Sequence, residues 1–175
     1  MESDANEGAL VARARNGDQR AFAELVTRHK KHIWAVCVRI TNNGSDAEDA
    51  LQEALTAAWQ HLDKFRGDAK FSTWMHRIAA NAALSVVRRR RDVLTDDFEL
   101  EDTGHDQYRE LDETDRVQAA LRQVPTDFRT ALVLREYGGL SYEEIATHQG
   151  IPVATVKSRL NRAKKALAEA LGVPG

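Results

Sequence analysis

Thr155, Lys157, Ser158, Arg159, Arg162 and Lys165 fall on one side of a segment of helical period. Val156, Leu160, Ala163 and Leu167 form its other side. An arginine fork can pair bidentately with a guanine edge, and lysine and serine serve bases or phosphates. An ordinary solvated helix can carry the same basic face, so the preceding residues decide. Ser141-Tyr142-Glu143-Glu144 is a capping box, in which the serine accepts from the backbone of residue 144 and the glutamate reaches back. Ile145 and Ala146 point inward, and the short helix ends at Gln149. Gly150 suits a left-handed C′ position and Ile151 plugs the gap between helices. Pro152 and Val153 open the next helix, where a missing N–H costs nothing. A short helix, a glycine turn and a second helix with a basic outer face make a helix-turn-helix, from Ser141 to about Leu171, suited to duplex DNA.

Other chemistry finds little material. There is no glycine-rich phosphate loop, no nucleophile motif and no carboxylate or histidine cluster at metal spacing. No enzyme, cofactor, metal or small-molecule substrate is expected. Cys37 is the sole cysteine, which excludes an internal disulfide and a cysteine metal cluster. It sits among Ile33, Trp34, Val36 and Val38 and reads as a buried hydrophobe ahead of a redox sensor. His29 and His32 are three apart on a helix, but no third ligand lies nearby in sequence.

The elements that must position these residues are all helical. Glu7 to Asn16 forms a short helix ended by Gly17, and Asp18 can cap the next. That helix carries Phe22, Leu25, Val26, Ile33, Val36, Cys37 and Ile40 and stops at Asn42-Asn43-Gly44. Ser45 then caps a helix with the stripe Ala47, Ala50, Leu51, Ala54, Leu55, Ala58, Trp59 and Leu62. After the loop Lys64–Lys70, Ser72 or Thr73 caps a helix running from Trp74 into Arg88-Arg89-Arg90-Arg91. Two readings fit the arginines: cations favoured at a helix C-terminus, or phosphate contacts. A helix ending near Val124, and another through Phe128, Leu132, Val133 and Tyr137 to Gly138-Gly139, precede the helix-turn-helix.

Charge divides the chain. Residues 1–92 carry 15 basic and 12 acidic side chains, residues 93–116 carry 2 and 10, and residues 117–175 carry 8 and 5. The formal net charge of −2 thus hides two mildly basic blocks around a strongly acidic one. Carboxylate repulsion makes the acidic stretch a flexible linker, and mimicry of DNA phosphate is a second reading. The expected architecture is all-α, with two small helical domains at 7–92 and 113–172 joined by an acidic linker at 93–112. Across the 175 residues no apolar run approaches the roughly 20 needed to span a bilayer. The acidic N-terminus lacks a secretory h-region, so a cytoplasmic protein without membrane insertion is expected.

Two segments of the first block carry a family resemblance. DAEDALQEALTAAWQHLDKF (Asp46 to Phe65) resembles region 2.2 of the bacterial sigma factors, specifically the small extracytoplasmic-function (ECF) group. FSTWMHRIAANAALSVVRRRR (Phe71 to Arg91) resembles their regions 2.3 and 2.4, and IPVATVKSRLNRAKKAL (Ile151 to Leu167) their region 4.2. The resemblance implies an initiation factor that joins core RNA polymerase and directs it to promoter DNA, in a stress or envelope response. It places Asp49, Gln52 and Glu53 against the β′ clamp, with the β flap as a second contact. By residue type alone these three are a solvated acidic face opposite Leu51, Leu55 and Trp59.

Regions 2.3 and 2.4 of the family melt the minus-ten element and capture a flipped base. Lys64, Arg66, Lys70, Arg77 and Arg88 fit the backbone of a single strand, and Phe65 and Phe71 fit base stacking. Asn81 can read a base edge, whereas Trp74 reads as core beside Ile78. The family's region 4.2 reads the minus-thirty-five element as duplex, here through Thr155 to Arg162. Two positions depart from the family's pattern. Ala154 replaces a frequent glycine before the threonine, and Ser85 replaces a frequent aspartate four residues after the asparagine. The resemblance also implies a cognate anti-sigma factor. The alternative is a stand-alone helix-turn-helix repressor or activator, which would bind duplex DNA without polymerase.

Overall fold

In the computed structural model, residues 2–96 and 113–174 are described. Among them lie eight α-helices, one 3₁₀ turn and no strand. α1 (Glu2–Arg15), α2 (Gln19–Thr41), α3 (Gly44–His61) and α4 (Phe71–Asp96) form the first domain, with the 3₁₀ turn at Leu62–Lys64. The second comprises α5 (Glu113–Arg122), α6 (Thr126–Glu136), α7 (Tyr142–Gln149) and α8 (Val153–Leu171). The expected all-α, two-domain fold is thus observed. The linker expectation lies outside the described residues except at Val93–Asp96, which continue α4. No described helix is long and apolar enough to cross a membrane.

Capping explains several of the boundaries. The Asp18 carboxylate accepts from the backbone N–H groups of Arg20 and Ala21 at 3.0 and 3.1 Å and so starts α2. The Ala21 N–H and the Arg13 guanidinium, 2.7 Å away, hold its pKa below the usual aspartate value. Asn42 ends α2 in the left-handed region. Asn43 then returns to extended backbone and accepts from Asp46 N, so Asn43 caps α3 in place of Ser45. A cap must sit outside the helix, and Ser45 already lies within its first turn.

The same correction applies to α4. It starts at Phe71, with Trp74 N donating to Lys70 O, which leaves Ser72 and buried Thr73 inside the helix. α1 likewise begins earlier than expected, at Glu2. α4 continues to Asp96, beyond the arginine run, and its last turn holds no basic residue. The helix-dipole reading of Arg88–Arg91 therefore fails, because the dipole acts within the final turn.

The first domain's core is small-residue rich. Ala47, Ala50, Ala54 and Ala58 of α3 and Ala79, Ala80 and Ala83 of α4 are buried, which lets these helices pack closely. Leu25, Ile33, Val36 and Ile40 of α2 fill the remaining space. In the second domain Leu121, Val124, Val133, Leu134, Leu140, Ile145, Val156 and Leu160 do the same. The buried apolar residues of the two domains form one continuous cluster, because α6 packs on both α2 and α4.

Candidate nucleic-acid and polymerase interface

The helix-turn-helix is built as its residues dictate. Ser141 Oγ accepts from Glu144 N at 3.1 Å, and Glu144 Oε1 accepts from Ser141 N at 3.2 Å. Gly150 (φ 66°, ψ 37°) closes α7, its N–H bonded to Ala146 O. Pro152 occupies the N-cap of α8 in extended backbone, one residue earlier than the first helical position. Val156, Leu160 and Ala163 are buried, which leaves Thr155, Lys157, Ser158, Arg162 and Lys165 exposed on the opposite face. Arg159 differs from these. Its Nη1 donates to Gln149 Oε1 at 3.0 Å, and its guanidinium stands over the Phe128 ring at 5.6 Å. It is half-buried and already engaged inside its own domain.

The residues expected at single-stranded DNA are split by the fold. Lys64, Arg66, Lys70 and Arg88 are exposed. A cleft of about 430 Å³ between α1 and the Phe65–Ser72 segment brings Arg15, Arg66 and Lys70 together. Phe65 and Phe71 line this cleft, but only 8% and 4% of their surface is accessible. Their rings meet edge-on at 5.9 Å, and each packs against Trp74, at 5.3 and 5.9 Å. Neither phenylalanine presents a free face for stacking, which corrects that expectation: an aromatic cluster buries more apolar area than an exposed platform. Trp74 belongs to this cluster, as its core reading requires.

Arg77 and Asn81 are not free. Arg77 Nη2 donates to Glu144 Oε2 at 3.0 Å, and His148 Nε2 donates to Asn81 Oδ1 at 2.8 Å. Both partners lie on α7, in the second domain. Nearby, His76 Nδ1 donates to Gly138 O at 3.0 Å. Gly138 is required there, since a Cβ would meet Leu134 O at 2.8 Å. His76 is 4% exposed, and burial pushes its pKa down to about 4; the Gly138 bond opposes this while His32 and His29 add to it. Burial and then Arg77 lower the pKa of His148 as well.

On the far side of the seam Arg129, 7% exposed, donates to Ile40 O at 2.9 Å and to Leu121 O at 3.3 Å. Gln118 donates to Val38 O at 2.8 Å and accepts from Arg39 at 2.8 Å. These seam residues were not singled out from sequence. One signal existed: Arg129 falls on the stripe of Leu132 and Val133, where a charge needs a buried partner.

On α3, Asp49 and Gln52 are exposed as expected, but Glu53 is paired with Arg89 and Asp46 with Arg90. His29 acquires a carboxylate from α1, Glu7, which sequence distance had concealed. Among the described residues no group of three or more His, Cys, Asp or Glu could hold a metal. Cys37 is fully buried with its thiol pushed up to about 12, an inert hydrophobe.

Comparison with known proteins fits this architecture. The family model for sigma-70 region 2 matches residues 25–93, and that for sigma-70 region 4 matches residues 114–167. RNA polymerase sigma-H factor of Pseudomonas aeruginosa is 39% identical, with 98% of this chain and 96% of that protein covered. The ECF RNA polymerase sigma-E factor of Escherichia coli K12 is 37% identical, with 95% of each covered. Among solved structures, CnrH in complex with the cytosolic domain of CnrY has TM-score 0.70 at 29% identity, covering 95% of this chain and 97% of that one. The sigma factor RpoE with the anti-sigma factor NepR from Bartonella quintana has TM-score 0.72 at 28% identity, covering 88% and 98%. The chain belongs to the ECF group of the sigma-70 family, non-enzymatic factors that direct RNA polymerase to promoters.

Proposed function

We propose that the two domains divide promoter recognition between them, the first (7–92) docking on polymerase and opening the minus-ten element, the second (113–172) gripping the minus-thirty-five duplex. The exposed face of α8 carries this reading: Thr155, Lys157, Ser158, Arg162 and Lys165 stand together on a helix whose other face is locked into its domain. Arg159 contributes once it leaves Gln149. In the first domain Lys64, Arg66, Lys70 and Arg88 follow the displaced strand. The cleft beside Phe65 and Phe71 receives a flipped base, and Arg77 and Asn81 complete the contact. Asp49, Gln52 and Glu53 meet the β′ clamp. The protein acts in the cytoplasm, in a stress or envelope response, and is held by a cognate anti-sigma factor, as the RpoE neighbour is by NepR.

In vitro transcription with core polymerase on a promoter library tests the reading. Initiation from a defined subset of promoters that requires this chain is the expected result. No initiation from any promoter, together with no core recovered in a pull-down, would overturn it.

A further inference from the structure

We infer that Asn161 reads an adenine in the upstream duplex, as a base-specifying residue set among the cations of α8. The inference rests on the assignment of α8 to that duplex. An α-helix turns about 100° per residue, so the direction opposite buried Val156, Leu160 and Ala163 defines the middle of the outer face. Ser158 and Lys165 lie within about 20° of that middle, and Ala154, Asn161 and Arg162 within about 60°. Thr155, Lys157 and Arg159 lie farther round, at about 70° to 110°. Asn161 is thus nearer the middle than three of the residues already assigned to the duplex.

Ala154, Lys157, Ser158 and Asn161 fall at i, i+3, i+4 and i+7, the spacing at which recognition helices set side chains against base edges. All four are exposed. Three of them are short, so the helix can approach the groove floor closely. Lys157 and Arg162, set to either side, extend toward the two phosphate backbones. Of the four, only Asn161 holds a donor and an acceptor on one rigid plane. Its amide oxygen accepts from adenine N6–H and its amide N–H donates to N7, a pair that no other base presents in the major groove.

The amide is also uncommitted. Arg159 is held by Gln149 and Phe128, and Lys164 stands 3.8 Å from Glu136. Asn161, in contrast, makes no hydrogen bond among the described residues. Asparagine is a poorer helix former than alanine, lysine or arginine. It stands in the middle of the 19-residue α8, away from either cap, where nothing within the domain offsets that cost.

The test uses holoenzyme assembled from the full chain and core polymerase, with retention of a random-sequence duplex library as the readout. Sequencing the retained duplexes gives the base preference at each upstream position. The parent should select adenine at one of them. Asn161→Ala should lower that preference about tenfold while neighbouring preferences hold, since a bidentate base contact carries discrimination of that order. Asn161→Arg should move the preference at the same position to guanine, whose O6 and N7 suit an arginine fork. Thermal melts accompany both variants. Alanine is the better helix former, so Asn161→Ala should melt no earlier than the parent, and its lost preference then cannot come from lost structure.

An upstream element whose preferences are the same for the parent and Asn161→Ala overturns the inference and leaves the duplex assignment of α8 standing. So does a loss of binding spread evenly over all sequences, which would mark a phosphate contact. If the parent selects no upstream element at all, the assignment of α8 is wrong and the inference falls with it.

Discussion

On α8, Thr155, Lys157, Ser158 and Arg162 stand in solvent, ready for a duplex. On α4, Arg77 and Asn81, of equally suitable chemistry, are engaged by α7. The contrast follows from where each helix lies. α8 is backed by its own domain on one side and uncovered on the other. α4 is flanked by α2 and α3 and met by α6, and α7 reaches it at Arg77 and Asn81, while its Arg88–Val93 stretch stays exposed. A duplex offers its grooves ready-made and suits a preformed, protruding helix. A single strand appears only after base pairs break, which suits residues that are uncovered late.

The largest effect expected to bear on this contrast comes from His76 at the seam. Its pKa is about 4 in the folded protein against 6.5 for a free imidazole, so between those values the unfolded chain binds more protons. Stability therefore falls as pH drops from about 6.5 toward 4 and is unaffected by this group at higher pH. The difference should reach on the order of 3 kcal/mol. His32 and His29 on α2 face the same ring and oppose its protonation, and the Gly138 carbonyl favours it. Urea unfolding at several pH values should show the slope reduced in His76→Leu. An unchanged slope would remove His76 from the seam's pH response.

The two arginines of α8 provide the next comparison. Arg162→Ala should cost about 1–3 kcal/mol in duplex affinity without loss of polymerase binding. Arg159→Ala should lower both duplex affinity and domain stability, because it also loses Gln149 and Phe128. Duplex titrations alongside thermal melts separate the two, and identical profiles for both variants would erase the distinction between free and engaged arginines.

The acidic face of α3 should respond more modestly. Asp49→Arg with Glu53→Arg should weaken association with core polymerase about tenfold, by placing like charge where complementary charge is needed. Because Glu53 is paired with Arg89, Asp49→Arg alone should account for most of the loss. Core affinity that does not change rejects this docking assignment. The smallest effect is expected at the cap: Ser141→Ala should destabilise the second domain by about 1 kcal/mol. Hydrogen exchange across α7 would register it, and an intact protection pattern would show the cap to be dispensable.

Local chemistry and periodicity made most of the helices legible. The capping box at Ser141, the left-handed Gly150 and the inward stripe Val156, Leu160, Ala163 emerged where residue type required them, because each depends on partners within a few residues. The boundaries of α3 and α4 were less legible. Asn43 and Ser45 are both competent caps, and the choice lay in the left-handed turn at Asn42. Phe65 and Phe71 were misread for a related reason: an aromatic beside basic residues looks the same in sequence whether its ring faces a base or another ring.

Sequence alone determined the helical architecture, the helix-turn-helix with its basic outer face, and the family, since these rest on short-range spacing and motif order. Tertiary structure alone decided which candidate residues are available. Glu144 lies 67 residues from Arg77, Asn81 the same distance from His148, and Gly138 62 residues from His76. No local pattern encodes such pairings. They exist because the apolar faces of α2, α4 and α6 must share one core, and closing that core carries α7 onto α4.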